Sequence, residues 1–243
     1  MSSTWWRTYF GDDFYRLHVD LFPEQVSRRE VAGMIELLEL PAGARVLDVP
    51  CGWGRHTVLL REAGLDVFGA DLSWDLLRRA DYDPALPLAA ADIRALPFAD
   101  GAFDAAINVF TSLGLFLDDE EDVRALREIR RVLGPGGRFL LESMHRDEVI
   151  GAYAERDRWT LPDGTEVRVR RRFDPVRGIS YEKLRWRRDG EHGEKRHALR
   201  LRTATEIDAL VRAAGFSDLR YFGDWDGSPL SYDSESLILV ARA

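Results

Sequence analysis

The sequence predicts an α/β protein: a doubly wound, mostly parallel seven-stranded sheet with an inserted antiparallel β meander. Three observations lead there. Short apolar runs alternate with amphipathic helical stretches from about residue 27 to 142, the pattern of parallel strands joined by helices. The first apolar run passes directly into a glycine turn and a helix, VLDVPCGWGRHTVLL, from Val46 to Leu60. From about Trp159 to Thr203 the hydrophobic period drops to two, and turn signals punctuate it, which indicates hairpins.

The elements follow in order. Ser27-Arg28-Arg29-Glu30 has the form of a capping box, with Val31, Ile35, Leu37 and Leu38 as the apolar face of the helix it opens. Arg45 to Val49 is the first strand, Gly54 to Ala63 a helix, and Gly64 its left-handed cap. Asp66 to Ala70 is the second strand, ending at Asp71, and Ser73 caps the next helix. Leu88 to Ala91 is a weak third strand and Phe103 to Val109 a fourth. Asp118 to Glu121 place acids at a helix start, where the dipole favours them. Gly134-Pro135-Gly136-Gly137 breaks the chain before a fifth strand, Arg138 to Glu142. Three alternating runs then follow, at Thr165–Phe173, Tyr181–Arg187 and His197–Thr203, with turns marked by Asp163-Gly164 before the first and by Asp174-Pro175 and Asp189-Gly190 between them. Thr203 to Glu206 is a second capping box, and Leu219–Phe222 and Ser236–Ala241 are the last two strands.

A length of 243 residues fits one domain. Within it, residues 1–26 form an aromatic cap segment and 156–203 the meander, as a lid or a dimer contact. No apolar run reaches the roughly 18 residues of a membrane span, and the N-terminus lacks the pattern of a secretion signal. Cys51 is the only cysteine, which excludes an internal disulfide framework and fits the cytoplasm. The net charge of −8 argues against nucleic acid as the main partner. The charge is uneven, however: residues 156–202 hold 15 Lys and Arg against 8 Asp and Glu. Arg168, Arg170 and Arg172 share one face of a strand opposite Val167 and Val169, either to meet an anion or to face water. No His, Cys, Asp or Glu cluster has metal-ligand spacing, so no metal is expected.

The glycine turn carries the chemistry. A helix start behind a glycine turn offers free N–H groups to a polar ligand. A carboxylate about twenty residues on, here Asp71, can hold a ribose diol. The pair predicts a nucleoside ligand. A dinucleotide fingerprint would need a glycine where Thr57 stands.

Six segments, LDVPCGWGR (47–55), GADLS (69–73), AADIRALPF (90–98), FDAAINVFTSLG (103–114), EIRRVLGPGGRFLLE (128–142) and TEIDALVRAAGF (205–216), together resemble the class I S-adenosylmethionine-dependent methyltransferases. The resemblance covers nearly the whole chain outside the meander. Pro50 stands where the family usually has glycine and removes one N–H donor. The resemblance implies S-adenosylmethionine as cofactor, leaving as S-adenosylhomocysteine. It implies that Asp48 orients the turn and the methionine amino group, and that Cys51, Gly52 and Gly54 lie against the methionine part. Asp71 then holds the ribose, Leu72 and Ile93 sandwich the adenine, and Asp92 accepts from its amino group. Asn108 and Val109 flank the reacting sulfur, with the Asn108 carbonyl oxygen offered to an adjacent methylene.

The expected activity is in-line methyl transfer to an oxygen or nitrogen of a small molecule, by a monomer or homodimer. An RNA methyltransferase using the basic meander and a non-catalytic cofactor-binding regulator are the alternatives. His145, after the fifth strand, is the candidate general base. Tyr15, Phe110 and Tyr221 are candidate acceptor contacts.

Overall fold

Val46, Leu47, Ala105, Ala106, Ile107, Leu140 and Leu141 are all fully buried, which is why the central strands read as unbroken apolar runs rather than alternating ones. The computed structural model describes residues 4–80 and 86–243; Met1, Ser2 and Ser3 of the aromatic segment lie outside that range. Strands β1 (Arg45–Asp48), β2 (Asp66–Asp71), β3 (Leu88–Ala90), β4 (Phe103–Asn108), β5 (Leu133–Met144), β10 (Ser217–Phe222) and β11 (Ser236–Arg242) build one sheet in the order β10-β11-β5-β4-β1-β2-β3. Only the β11 pairings, with β5 and with β10, are antiparallel. The predicted fold class holds.

Helices α3 (Glu24–Leu37), α4 (Arg55–Glu62), α6 (Asp119–Val132) and α8 (Ala204–Ala213) cover the sheet, with short α5 (Trp74–Leu77) after β2. Separate apolar clusters fill its two faces, one around Phe139, Leu126 and Ile129, the other around Met34, Leu38 and Leu60. The caps at Ser73, Asp118 and Thr203 form as their sequences indicate, the last as a complete capping box. Ser27 does not cap. α3 begins earlier, at Glu24 after Pro23, so Ser27 sits inside the helix and accepts from Arg55 Nη1 at 3.0 Å. The Gly134–Gly137 break is an irregularity within β5, whose pairing with β4 jumps from Phe103–Leu133 to Ala105–Arg138.

The inserted segment has four strands, not three: β6 (Arg156–Thr160), β7 (Glu166–Asp174), β8 (Ile179–Arg188) and β9 (Glu191–Arg200), reached from β5 through α7 (Arg146–Gly151). Asp189 and Gly190 both have positive φ, 47° and 87°, the geometry of a tight hairpin turn. Val167, Val169, Leu184 and Trp186 pack on Leu17 of α2 (Asp12–His18), so the meander and the N-terminal segment fold against each other. Trp5, Trp6, Tyr9 and Phe14, from α1 (Trp6–Tyr9) and around it, pack in turn on Trp53 of the glycine turn and Leu76 of α5. The result is a roof over the C-terminal edge of the parallel strands, where open α/β sheets bind ligands.

Candidate active site

The glycine turn is held by its neighbours. Cys51 N–H donates to Ala70 O at 2.9 Å. Its thiol fills the space that a Cβ on Gly69 would need, 2.9 Å from that position, and burial pushes its ionisation up. Gly52 (φ 57°) and Gly54 (φ 79°) take left-handed backbone, which glycine adopts without strain, and Gly54 caps α4.

Asp71 is buried at the end of β2, and its carboxylate accepts from Gly52 N–H at 2.8 Å and Ser73 N–H at 2.7 Å. A carboxylate has about four acceptor sites, so two remain for a diol. Burial raises its pKa. Asp48 is fully buried; Oδ2 accepts from Thr57 Oγ1 at 2.6 Å, while Oδ1 has no partner. Burial pushes this carboxyl up to about 7. The two open sites on Asp71 fit the ribose of S-adenosylmethionine, and the buried acid of Asp48 behind the glycine turn, which does not itself line the adjoining cavity, favours a cationic amino group on the other side of the turn. These residues therefore fit the cofactor that the sequence implies; bound there, it would supply a methyl group activated by a positive sulfur.

Asp92 is more committed. Arg94 binds both its oxygens, Nε to Oδ1 at 2.9 Å and Nη2 to Oδ2 at 2.6 Å, and the Arg94 N–H adds a third bond at 3.0 Å. This pairing lowers the Asp92 pKa. Asn108 braces the scaffold: Nδ2 donates to Val49 O at 2.8 Å, and Oδ1 accepts from Ser112 Oγ at 2.6 Å. Its carbonyl oxygen is thus engaged within the chain. Glu30 gathers His56, at 2.6 Å, and Arg55 at the first turn of α4. Burial holds His56 down to about 4, a neutral ring.

A cavity of about 470 Å³ lies between this cradle and the roof. Cys51, Gly52, Asp71, Leu72, Asp92, Ile93, Asn108, Val109 and Phe110 all line it, so one space collects most of the residues expected to bind cofactor. Its opposite wall comes from Trp5, Tyr9, Phe14 and His18 and from the meander's Arg171, Glu182, Leu184 and His197.

Five expected residues do not line it: Asp48 and Gly54 at the glycine turn, and His145, Tyr221 and Tyr15. His145 is buried with Nδ1 3.1 Å from Ser234 O and Nε2 3.7 Å from Asp147, and it does not line the cavity. Tyr221 donates to Asp208 Oδ1 at 2.9 Å, on the β10 edge. Tyr15 packs edge-on against Trp53, behind the cavity wall. Arg168, Arg170 and Arg172 are exposed on the meander's outer face, opposite the buried Val167 and Val169.

The meander's contribution was missed by reading its strands singly. Glu182 and His197 stand seven residues either side of the Asp189-Gly190 turn, which sets them opposite one another. That turn was visible and its register could have been counted.

Comparison with known proteins agrees with the geometry. The family described as a methyltransferase domain matches residues 46–137, the stretch holding the glycine turn, Asp71, Asp92 and Asn108. Residues 46–137 thus form a methyltransferase domain, and the chain has the fold of S-adenosylmethionine-dependent methyltransferases. A demethylmenaquinone methyltransferase of Renibacterium salmoninarum is 36% identical over 132 residues, 52% of either chain. The chain thus spans about half the length of that curated relative. The CcbJ methyltransferase from Streptomyces caelestis superposes with a TM-score of 0.81 over 98% of both chains, at 19% identity. CalS10, an amino pentose methyltransferase from Micromonospora echinaspora solved with S-adenosylmethionine bound, gives 0.72 over 97% of this chain and 98% of its own, at 25% identity. The meander is included in these full-length superpositions. Among the described residues no group of His, Cys, Asp and Glu could hold a metal ion, and no helix is long and apolar enough to cross a membrane.

Proposed function

We propose that this chain transfers the methyl group of S-adenosylmethionine to a nitrogen or oxygen atom of a small molecule, releasing S-adenosylhomocysteine. The observation that carries this is one shared cavity, with the cofactor cradle at one wall and an aromatic and polar roof at the other. An apolar enclosure with a few convergent polar groups suits a small acceptor. Enclosure supplies proximity and orientation, which contribute about 7–11 kcal/mol in well-aligned reactions. The likeness to CalS10 supports an amine-bearing acceptor. The RNA alternative loses its main support, because the exposed arginines project from the side away from the cavity. The single cysteine, a buried free thiol, supports a reducing cytoplasm as the place of action.

Titration calorimetry tests the reading. The wild type binds S-adenosylmethionine, and Asp71→Ala loses about 10- to 100-fold in affinity, the loss of charged hydrogen bonds to the ribose. Absence of wild-type binding, or tighter binding of NAD, refutes it.

A further inference from the structure

Arg171, Glu182 and His197 form one cross-strand row on the cavity face of the meander. Arg171 pairs with Glu182 between β7 and β8, and Glu182 with His197 between β8 and β9. Arg171 Nε donates to Glu182 Oε2 at 2.8 Å. Glu182 Oε1 lies 3.5 Å from His197 Nδ1, and Tyr9 Oη lies 3.1 Å from the same nitrogen. The Glu182 carboxylate beside Nδ1 can only accept, so its charge favours the tautomer with the proton on Nδ1, and Tyr9 Oη accepts from that N–H. Nε2 then keeps its lone pair. No hydrogen bond to Nε2 occurs among the described residues, and the ring lines the cavity.

We propose that His197 is the general base of the transfer, with Glu182 as its positioning residue. The proposal rests on the methyl-transfer reading above. The acceptor brings an ammonium or hydroxyl group into the roofed half of the cavity. Its proton passes to His197 Nε2. Its nitrogen or oxygen lone pair forms the new bond to the methyl carbon, and the methyl–sulfur bond breaks with its electron pair left on sulfur. The imidazolium so formed faces the Glu182 carboxylate, which Arg171 holds in place. The arrangement follows the logic of a histidine oriented at Nδ1 by an acid.

The groups facing His197 are Tyr9 from α1, His18 from α2, Arg171 from β7 and Glu182 from β8. Burial, His18 and Arg171 lower the His197 pKa and Glu182 raises it, with a net shift downward, so the ring is a free base at neutral pH. His18 also lines the cavity and also has Nδ1 committed, to Phe14 O at 2.8 Å. It is stacked on the Phe14 ring at 4.2 Å and its Nδ1 is committed to a backbone carbonyl rather than set beside a carboxylate; burial lowers its pKa, Phe14 O and Glu182 raise it and Lys195 lowers it, with a net shift downward. His197 is therefore the better acceptor of a proton.

The test combines two measurements on the full chain with S-adenosylmethionine bound. In ¹⁵N-histidine-labelled protein, His197 is assigned by loss of its signal in His197→Asn. The expected result is the Nδ1–H tautomer, titrating below the ordinary imidazole range and lower still in Glu182→Gln. An Nε2–H ring, or one charged at pH 7, overturns the proposal. Turnover is read as S-adenosylhomocysteine release with a panel of amino sugars, alkylamines and hydroxyquinones. His197→Asn slows it by about 10²- to 10³-fold with cofactor affinity unchanged, while substitution of the exposed His192 by Asn has no effect. Glu182→Gln moves the acidic limb of the pH profile to lower pH. Turnover within about threefold of wild type in His197→Asn overturns the base assignment and leaves the transfer reading standing. A wild type that binds cofactor but turns over no panel compound overturns the transfer reading and the base with it.

Discussion

The carboxylate of Asp122 and the guanidinium of Arg202 meet at 2.5 Å inside the protein, with side-chain exposures of 0% and 5%. Asp122 lies in the first turn of α6 and also accepts from Gly114 N–H at 3.2 Å; Arg202 lies where the chain leaves the meander. The pair pins the roof to the sheet. Removing one partner leaves a buried charge uncompensated, a loss of about 3–5 kcal/mol. Arg202→Met should lower denaturant stability by that amount, and the double variant with Asp122→Leu should recover most of it. An additive double variant would show that the two charges act independently.

Gly114 itself is a second pin. Its φ is 95°, and a Cβ there would stand 2.5 Å from the Arg200 carbonyl oxygen. Arg200 N–H donates back to Gly114 O at 3.1 Å. Gly114→Ala should push β9 away from the loop after β4, raising KM for the acceptor more than it changes the S-adenosylmethionine Kd. Equal effects on both would place the disturbance in the cradle instead.

Asp48 predicts a proton count. Its carboxyl titrates near 7 because it is buried with one oxygen unpaired. A cationic amino group bound at the neighbouring glycine turn lowers that pKa, so binding at pH 6.5–7 should release a fraction of a proton. Calorimetry of S-adenosylmethionine binding in buffers of different ionisation enthalpy measures this directly. Asp48→Asn should abolish the release and weaken binding.

His56 predicts a stability profile. Its folded pKa, held to about 4 by burial, lies below the unfolded value of 6.5. Between those values the unfolded chain binds more protons, so stability is full above about pH 6.5 and falls as pH drops toward 4, by about 3 kcal/mol at most. Glu30, whose pKa is also lowered, adds in the same direction below about pH 4.5. Thermal unfolding of wild type against His56→Gln across that window should show the difference shrinking as pH falls.

The strands and caps of the parallel sheet were legible because each is written locally. Apolar runs, Ser73, Asp118 and Thr203 state their roles within a few residues. The cradle was legible for the same reason, since its residues end strands or follow within a few residues of a strand end. Ser27 misled because Pro23 is an earlier start that burial of Ser27 favours. His145 misled because position after β5 does not fix direction, and its ring turns to Ser234. Asp92 and Asn108 were found, but their partners Arg94 and Ser112 were not, since side-chain pairing depends on rotamers no pattern displays. Glu182 and His197 emerge only when two strands are laid side by side.

The meander's pleat has a consequence for diversification. Along β7 to β9, residues such as 171, 182, 184 and 197 address the cavity, while 168, 170 and 172 address solvent. Two texts are interleaved in one stretch of chain, one legible to the acceptor and the other to the outside. Revising the inner text need not alter Asp48, Asp71 or the glycine turn, which lie on another sheet. A change of acceptor can thus be written one letter in two, at the roof, over a cofactor cradle left as it stands.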